Sequence, residues 1–181
     1  MAVLIGPMGA GKSTVGASLG ARLSVDLIDS DAEIERQTGR TIPEIFNDGE
    51  QHFRAIEEDV VAQLLNRSGI VLSLGGGAVL SAKTRRLLAG FPVVYLTVSA
   101  DCGFARVARS DRPLLRADDP RARYAELLAA RDATYRETAA VVVDTDGHSP
   151  EDIAAEVVSA LRAYSLNAYS PQPPTRFEDS R

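Results

Sequence analysis

The eight residues Gly6-Pro7-Met8-Gly9-Ala10-Gly11-Lys12-Ser13 constrain this chain more than any other segment does. They fit G-x-x-x-x-G-K-[ST] and lie between an apolar run, Ala2–Ile5, and a stretch in which Val15, Leu19 and Leu23 share one helical face. A strand that turns through glycines into a helix can aim successive backbone N–H groups at one point, with the positive end of the helix behind them. The glycines Gly9 and Gly11, with Ala10, are therefore expected to wrap a β-phosphate. Lys12 is expected to bridge β- and γ-phosphates, Ser13 to ligate Mg²⁺, and Thr14 to reach the α-phosphate. The motif implies a bound nucleotide and leaves its fate open, because GTPases, motors and metabolite kinases all use it.

The rest of the chain alternates in the same way. Ala2–Ile5, Asp26–Ile28, Ile70–Leu74, Val93–Val98 and Ala140–Val143 read as five short, largely buried strands. Phe53, Ile56, Val60 and Leu64 form a helical stripe between them, as do Ile153, Val157 and Leu161. Thr41 with Glu44 makes a capping box, Gly49 suits a helix stop, and Ser149-Pro150 places a cap before a first-turn proline. Strands alternating with helices predict an α/β fold, a parallel sheet covered on both faces. One domain over residues 1–164 is expected. From 165 to 181 the chain carries Ser-Pro-Gln-Pro-Pro and no apolar period, which predicts a flexible tail.

Composition narrows the partners. The net charge of −5 gives no bulk attraction to nucleic acid or an anionic membrane, and no apolar run approaches a bilayer span. The opening residues read as a strand rather than a signal peptide. The single cysteine, Cys102, excludes an internal disulfide and suits a reducing, cytoplasmic setting. Of twenty basic residues only Lys12 and Lys83 are lysines, so one of two lies in the phosphate motif.

Three further groups bear on the acceptor. Asp29-Ser30-Asp31 follows the second strand, at the edge where ligands of parallel sheets bind. Asp29 suits Mg²⁺ held through water, and Asp31 suits a base for an attacking hydroxyl; Asp31 also precedes a helix, a position that suits its cap. Gly75-Gly76-Gly77 ends the third strand, where a close approach, a sharp turn or a plain loop would each use glycine. Arg54 follows Phe53 with Glu57 one turn on; Arg112-Pro113-Leu114-Leu115 opens a lid of about residues 110–120; Arg131 sits on the next helix. Guanidinium forks suit carboxylates and phosphates, although a lone helical arginine is more often a solvated face.

Taken in order, Gly6–Thr14, Asp29-Ser30-Asp31, Phe53-Arg54, Ile56-Glu57-Glu58-Asp59, the triple glycine, Arg112-Pro113-Leu114-Leu115, and Arg131 with Tyr135 resemble shikimate kinase from residue 2 to about 160. The resemblance implies a three-layer P-loop fold of the nucleoside-monophosphate-kinase type, with a five-stranded parallel sheet, a substrate-binding helical region and a lid. It implies transfer of phosphate from ATP to the 3-hydroxyl of shikimate with Mg²⁺, in aromatic amino-acid biosynthesis, by a monomer. Carried residue by residue, it makes Asp31 the base, Arg54 and Arg131 the holders of the substrate carboxylate, and Gly75, Gly76 and Gly77 its backbone neighbours. Phe46 and Phe53 line the ring and Glu57 orients Arg54. Arg112 closes over ATP as a catalytic cation, and Arg106 and Pro150 pack the adenine, near His148. A gluconate-type kinase shares the phosphate loop but does not require this set of arginines and aspartates. A nucleotide-dependent assembly module would not need Asp31, Arg54 and Arg131 together.

Overall fold

In the computed structural model, five strands lie side by side in one parallel sheet: β1 (Ala2–Ile5), β2 (Asp26–Asp29), β3 (Ile70–Ser73), β4 (Val93–Thr97) and β5 (Val141–Asp144). Their order is β2-β3-β1-β4-β5. The structure describes residues 1–108, 113–115 and 117–168. Between the strands run α1 (Lys12–Leu23), α2 (Ser30–Thr38), α3 (Ile42–Phe46), α4 (Glu50–Leu64), α5 (Ala82–Leu88), α6 (Ala100–Val107), α7 (Pro120–Thr138) and, last, α8 (Pro150–Ala168). No helix among the described residues is long and apolar enough to cross a membrane.

Alternation along each strand sorts the core into two halves. Val3 and Ile5 of β1 face a cluster with Leu72, Val93 and Tyr95, joined by Phe53, Val60 and Leu64 of α4. Ala2 and Leu4 face the other way, onto Val71, Val94, Leu96, Val15 and Leu19 of α1, and Ile153 and Val157 of α8. Each such side chain taken fully out of water contributes about 1.5–3 kcal/mol, so both sheet faces must be covered. That is the three-layer architecture expected.

The differences from expectation have local causes. β2 and β5 are edge strands and only partly buried; Val142 is 44% exposed. Val15 and Leu19 are buried, but Leu23 lies in the last turn of α1 and stays exposed. Gly49 does not stop a helix: α3 ends at Phe46, and Gly49, with φ 106°, precedes α4 as its N-cap. The capping box of Thr41 and Glu44 is present, and Ser149 Oγ accepts the Asp152 N–H at the start of α8. α8 continues to Ala168, past the boundary at 164, and residues 169–181 of the expected tail lie outside the described residues.

Strand register sets the working edge. Ile5 pairs with Tyr95, Leu4 with Ser73, and Ser73 with Asp29, so the strands finish almost level. The phosphate loop, Asp29–Asp31 and Gly75–Gly77 therefore emerge side by side.

Candidate active site

The phosphate loop leaves β1 at Gly6 and enters α1 at Lys12. Gly9 and Gly11 both have φ 81°, a conformation that disfavours any side chain. Gly6 is needed for space as well, since a Cβ there would lie 2.5 Å from the Leu96 carbonyl oxygen of β4. The N-cap of α1 is Gly11, with no side-chain cap, and the positive end of the helix suits an anion. Lys12 Nζ donates to the carbonyls of Gly6 (2.9 Å) and Pro7 (3.0 Å), arched over the loop it would share with phosphates. From outside, Tyr124 of α7 donates to the Met8 carbonyl at 2.8 Å, and burial pushes its phenol up to about 12. It donates in its neutral form throughout the physiological range.

The loop borders a cleft of about 1120 Å³ lined by Gly9, Gly11, Lys12, Ser13, Thr14, Asp29, Asp31 and Arg106, among others. Arg106 of α6 donates to the Gly9 carbonyl (3.0 Å) and reaches Thr145 Oγ1 (3.1 Å) and its carbonyl (3.1 Å), joining the loop to the β5–α8 connection. Pro150 opens α8 just beyond that connection and lines neither this cleft nor the cavity described next. His148 is exposed. Cys102, half-buried on α6, packs toward the core and takes no part in either space.

Ser13 Oγ donates to Asp29 Oδ2 at 2.8 Å, and Ser73 Oγ donates to the same oxygen at 3.0 Å. Asp29 Oδ1 accepts the Asp31 N–H at 3.0 Å, so Asp29, and not Asp31, is the N-cap of α2. The capping explanation for Asp31 is thereby removed. Among the described residues no group of three or more acidic, His or Cys side chains could cage a metal. Mg²⁺ in phosphoryl-transfer sites is held by one or two protein oxygens, waters and the phosphates themselves, and a hydroxyl beside a carboxylate at the loop fits that demand. Ser73 stands where P-loop proteins usually end this strand with an acidic residue, and it spends its hydroxyl on Asp29.

A second cavity, of about 500 Å³, opens beside the cleft. Its lining brings together every residue assigned to the acceptor: Asp31, Phe46, Phe53, Arg54, Glu57, Gly75, Gly76, Gly77 and Arg131. Phe46 and Phe53 form an apolar wall, ring centroids 4.5 Å apart. Arg54 lies over the Phe53 ring, pairs with Glu57 at 2.6 Å, and reaches Glu50 at 2.9 Å. Burial opposes its charge, but Glu57 and Glu50 outweigh burial and raise its pKa further. Glu57 is itself almost wholly buried; burial raises its pKa, the Arg54 charge pulls it back, and Asp31 pushes it up again. The cavity thus carries two guanidinium groups against an acidic pair, over an aromatic floor. It suits a small ring bearing a carboxylate and hydroxyls.

The chain turns at Gly76 and Gly77, with the Ala78 N–H donating to the Gly75 carbonyl at 3.1 Å, but space rather than this turn explains the triple glycine. None of the three has positive φ. A Cβ on Gly75 would lie 2.5 Å from Asp31 Oδ1 and 2.8 Å from Glu57 Oε1, and one on Gly77 would overlap the Arg54 guanidinium. The glycines let three charged side chains close on the backbone. Met8, Ile42 and Leu114 also line this cavity and were not singled out in the sequence. Leu114 sits within the Arg-Pro-Leu-Leu segment and Ile42 just after the capping-box threonine, so only their function was illegible. Arg112, the expected lid cation, lies outside the described residues.

The two spaces share Met8, Asp31, Gly75 and Gly76. Comparison with known proteins agrees with this geometry. The family described as shikimate kinase matches residues 8–162. A shikimate kinase of Rhodococcus erythropolis is 52% identical over 163 residues, 89% of this chain and 96% of the relative. One of Thermobifida fusca is 48% identical over 165 residues, covering 90% and 95%. The structure of shikimate kinase from Acinetobacter baumannii in complex with shikimate superposes with a TM-score of 0.88 at 40% identity, over 91% of this chain and 94% of that one. On its fold, its site and this similarity along nearly its whole length, the chain belongs to the shikimate kinase family.

Proposed function

We propose that the chain transfers the γ-phosphoryl group of ATP to the 3-hydroxyl of shikimate, releasing ADP and shikimate 3-phosphate for aromatic amino-acid biosynthesis. The observation that carries this reading is the junction of the two cavities at Asp31: the cleft along the phosphate loop on one side, the pocket with Arg54 and Arg131 on the other. The bond formed joins the acceptor oxygen to Pγ, and the bond broken joins Pγ to the β–γ bridging oxygen. Asp31, bordering both spaces, accepts the hydroxyl proton. Arg54 and Arg131 hold the carboxylate and so set which hydroxyl faces the nucleotide, Glu57 keeps Arg54 in its cavity rotamer, and the Gly75–Gly77 backbone leaves room for the ring.

Lys12, with the N–H groups of Gly9, Ala10 and Gly11, holds the β- and γ-phosphates, Ser13 and Thr14 border the adjoining oxygens, and Arg106 with Pro150 flanks the adenine side. Arg112 closes from the lid. Mg²⁺, when bound with ATP, neutralises charge on the transferring group; Ser13 would hold it directly and Asp29 through water. Most of the rate gain comes from positioning and fixed charge, since phosphoryl transfer asks little covalent work of the protein. The reading includes a monomer acting in the cytoplasm, supported by both cavities being lined by one chain and by the lone cysteine.

A coupled assay of ADP release tests this. Turnover with shikimate, and background rates with gluconate or no acceptor, are expected. ADP release independent of acceptor would instead identify a nucleotide-dependent module.

A further inference from the structure

Tyr135 lines neither cavity, yet its hydroxyl meets two parts of the acceptor site. It donates to the Gly76 carbonyl oxygen, and it stands beside the Arg131 side chain, one turn back on α7, whose charge favours its ionised form against burial. A phenol that donates once can still accept, so the same oxygen stays open toward the Arg131 guanidinium. The ring is fully buried and stacked on Tyr95, centroids 4.9 Å apart and planes 27° from parallel. Burial pushes its phenol up to about 12, which keeps the donor proton in place.

The Gly75–Gly77 segment needs outside ties, because glycine has more conformational freedom to lose than any other residue. One tie is the Gly75 N–H, which donates to Ser30 Oγ at 2.8 Å. The other, one residue on, is Tyr135. Without it the Gly76 carbonyl would have to turn toward water, moving the wall that both cavities share.

We propose that Tyr135 is a positioning residue for the acceptor, its hydroxyl fixing the Gly76 backbone and the Arg131 guanidinium in the arrangement that receives the substrate's carboxylate. The proposal rests on the phosphoryl-transfer reading given above. It separates two chemically identical groups in one stack. The Tyr95 hydroxyl donates to Asp132 Oδ1 at 2.8 Å, itself held by Arg136 at 2.7 Å, and this pair faces away from the cavities. Removing either hydroxyl leaves the stack intact, and only one removal should be felt by the substrate.

The test compares Tyr135→Phe and Tyr95→Phe with the wild type by steady-state kinetics and thermal melting. In Y135F the KM for shikimate is expected to rise about tenfold, as when a buried carbonyl loses its donor. Its kcat and its KM for ATP should stay within about threefold. Y95F should leave all three constants unchanged at a similar melting temperature. A third protein with 4-aminophenylalanine at position 135 keeps a donor on the same ring and should recover the wild-type KM; it also provides the measurement if Y135F fails to fold. An unchanged shikimate KM in Y135F, equal losses in Y95F, or no recovery with the amine overturns the proposal. A wild-type protein that leaves shikimate unphosphorylated overturns the functional reading and this proposal with it.

Discussion

Replacing Gly77 by alanine adds a single methyl group to a backbone that can accept it. Its φ of −105° lies within the range of any residue, so the change should by itself favour folding by about 0.4–1 kcal/mol through the unfolded chain. The new Cβ, however, falls inside the contact radii of Arg54 Nη1, Nη2 and Cζ. That guanidinium cannot shift slightly, because Glu57 at 2.6 Å and Glu50 at 2.9 Å hold it where the methyl must go. It has to swing out of the cavity. Losing one partner of a desolvated carboxylate pair costs about 2–4 kcal/mol, or roughly 30- to 1000-fold in shikimate KM. Glu57, raised already by burial, loses its chief compensating charge and takes up a proton more readily. Folding stability should therefore move by no more than about 1–3 kcal/mol. Steady-state kinetics with each substrate varied gives the answer: shikimate KM rises as in Arg54→Ala, while ATP KM stays within about threefold. In a double-mutant cycle, G77A added to R54A should cost almost nothing more, since the group it displaces has gone. An unaltered shikimate KM in G77A, or full additivity in the cycle, refutes the reasoning.

Three other outcomes follow from the geometry. Asp31→Asn should lower kcat by about 10²-fold or more with little change in ATP affinity, and wild-type turnover would remove Asp31 from proton handling. Ser73→Ala removes one of the two hydroxyl donors that orient Asp29 Oδ2 and should raise the Mg²⁺ concentration for half-maximal rate about tenfold; chelation of Mg²⁺ with EDTA should abolish turnover in both proteins. Glu33, bonded first by Arg36 and then by Gln37, is held at about 2 against an ordinary 4.5. The folded state therefore binds fewer protons than the unfolded one between those values. The stabilisation from this pairing is present above pH 4.5 and lost as pH falls toward 2. Glu33→Gln should cost under about 1 kcal/mol at pH 7, because Arg36 is 67% exposed, and the deficit should shrink in urea melts as pH falls below 4.5, disappearing only near the folded value of about 2.

Much of this was legible in the residues because the fold and the site use patterns local in sequence. The phosphate loop, the alternation of apolar runs with helical stripes, and the box at Thr41 and Glu44 each sit within a few residues, and the strands and helices follow them closely. Groups whose meaning depends on partners far along the chain were less legible. Gly77 is glycine because of Arg54, and Gly75 because of Asp31 and Glu57, contacts made across separate elements. Asp31 stands as the candidate cap of α2, and Asp29 does not, until the Asp31 N–H is seen to bond Asp29. Leu23 follows the apolar stripe of α1 and still faces solvent, as the last residue of the helix. Nothing local in sequence marks a task for Tyr124 or Tyr135; their hydroxyls, ending on Met8 and Gly76, separate them from ordinary packing.

The wall of Met8, Asp31, Gly75 and Gly76 has a consequence for inhibition. It is shared from both sides, so a ring bearing a carboxylate and a polyphosphate mimic can be joined by a short linker passing Asp31, with no space to be created. Each half raises the local concentration of the other to the millimolar range, so two weak fragments would bind together far more tightly than either alone. On the proposed reading such a molecule would also be selective among P-loop proteins, because its phosphate half would fit many of them and its acid half would rely on Arg54 and Arg131.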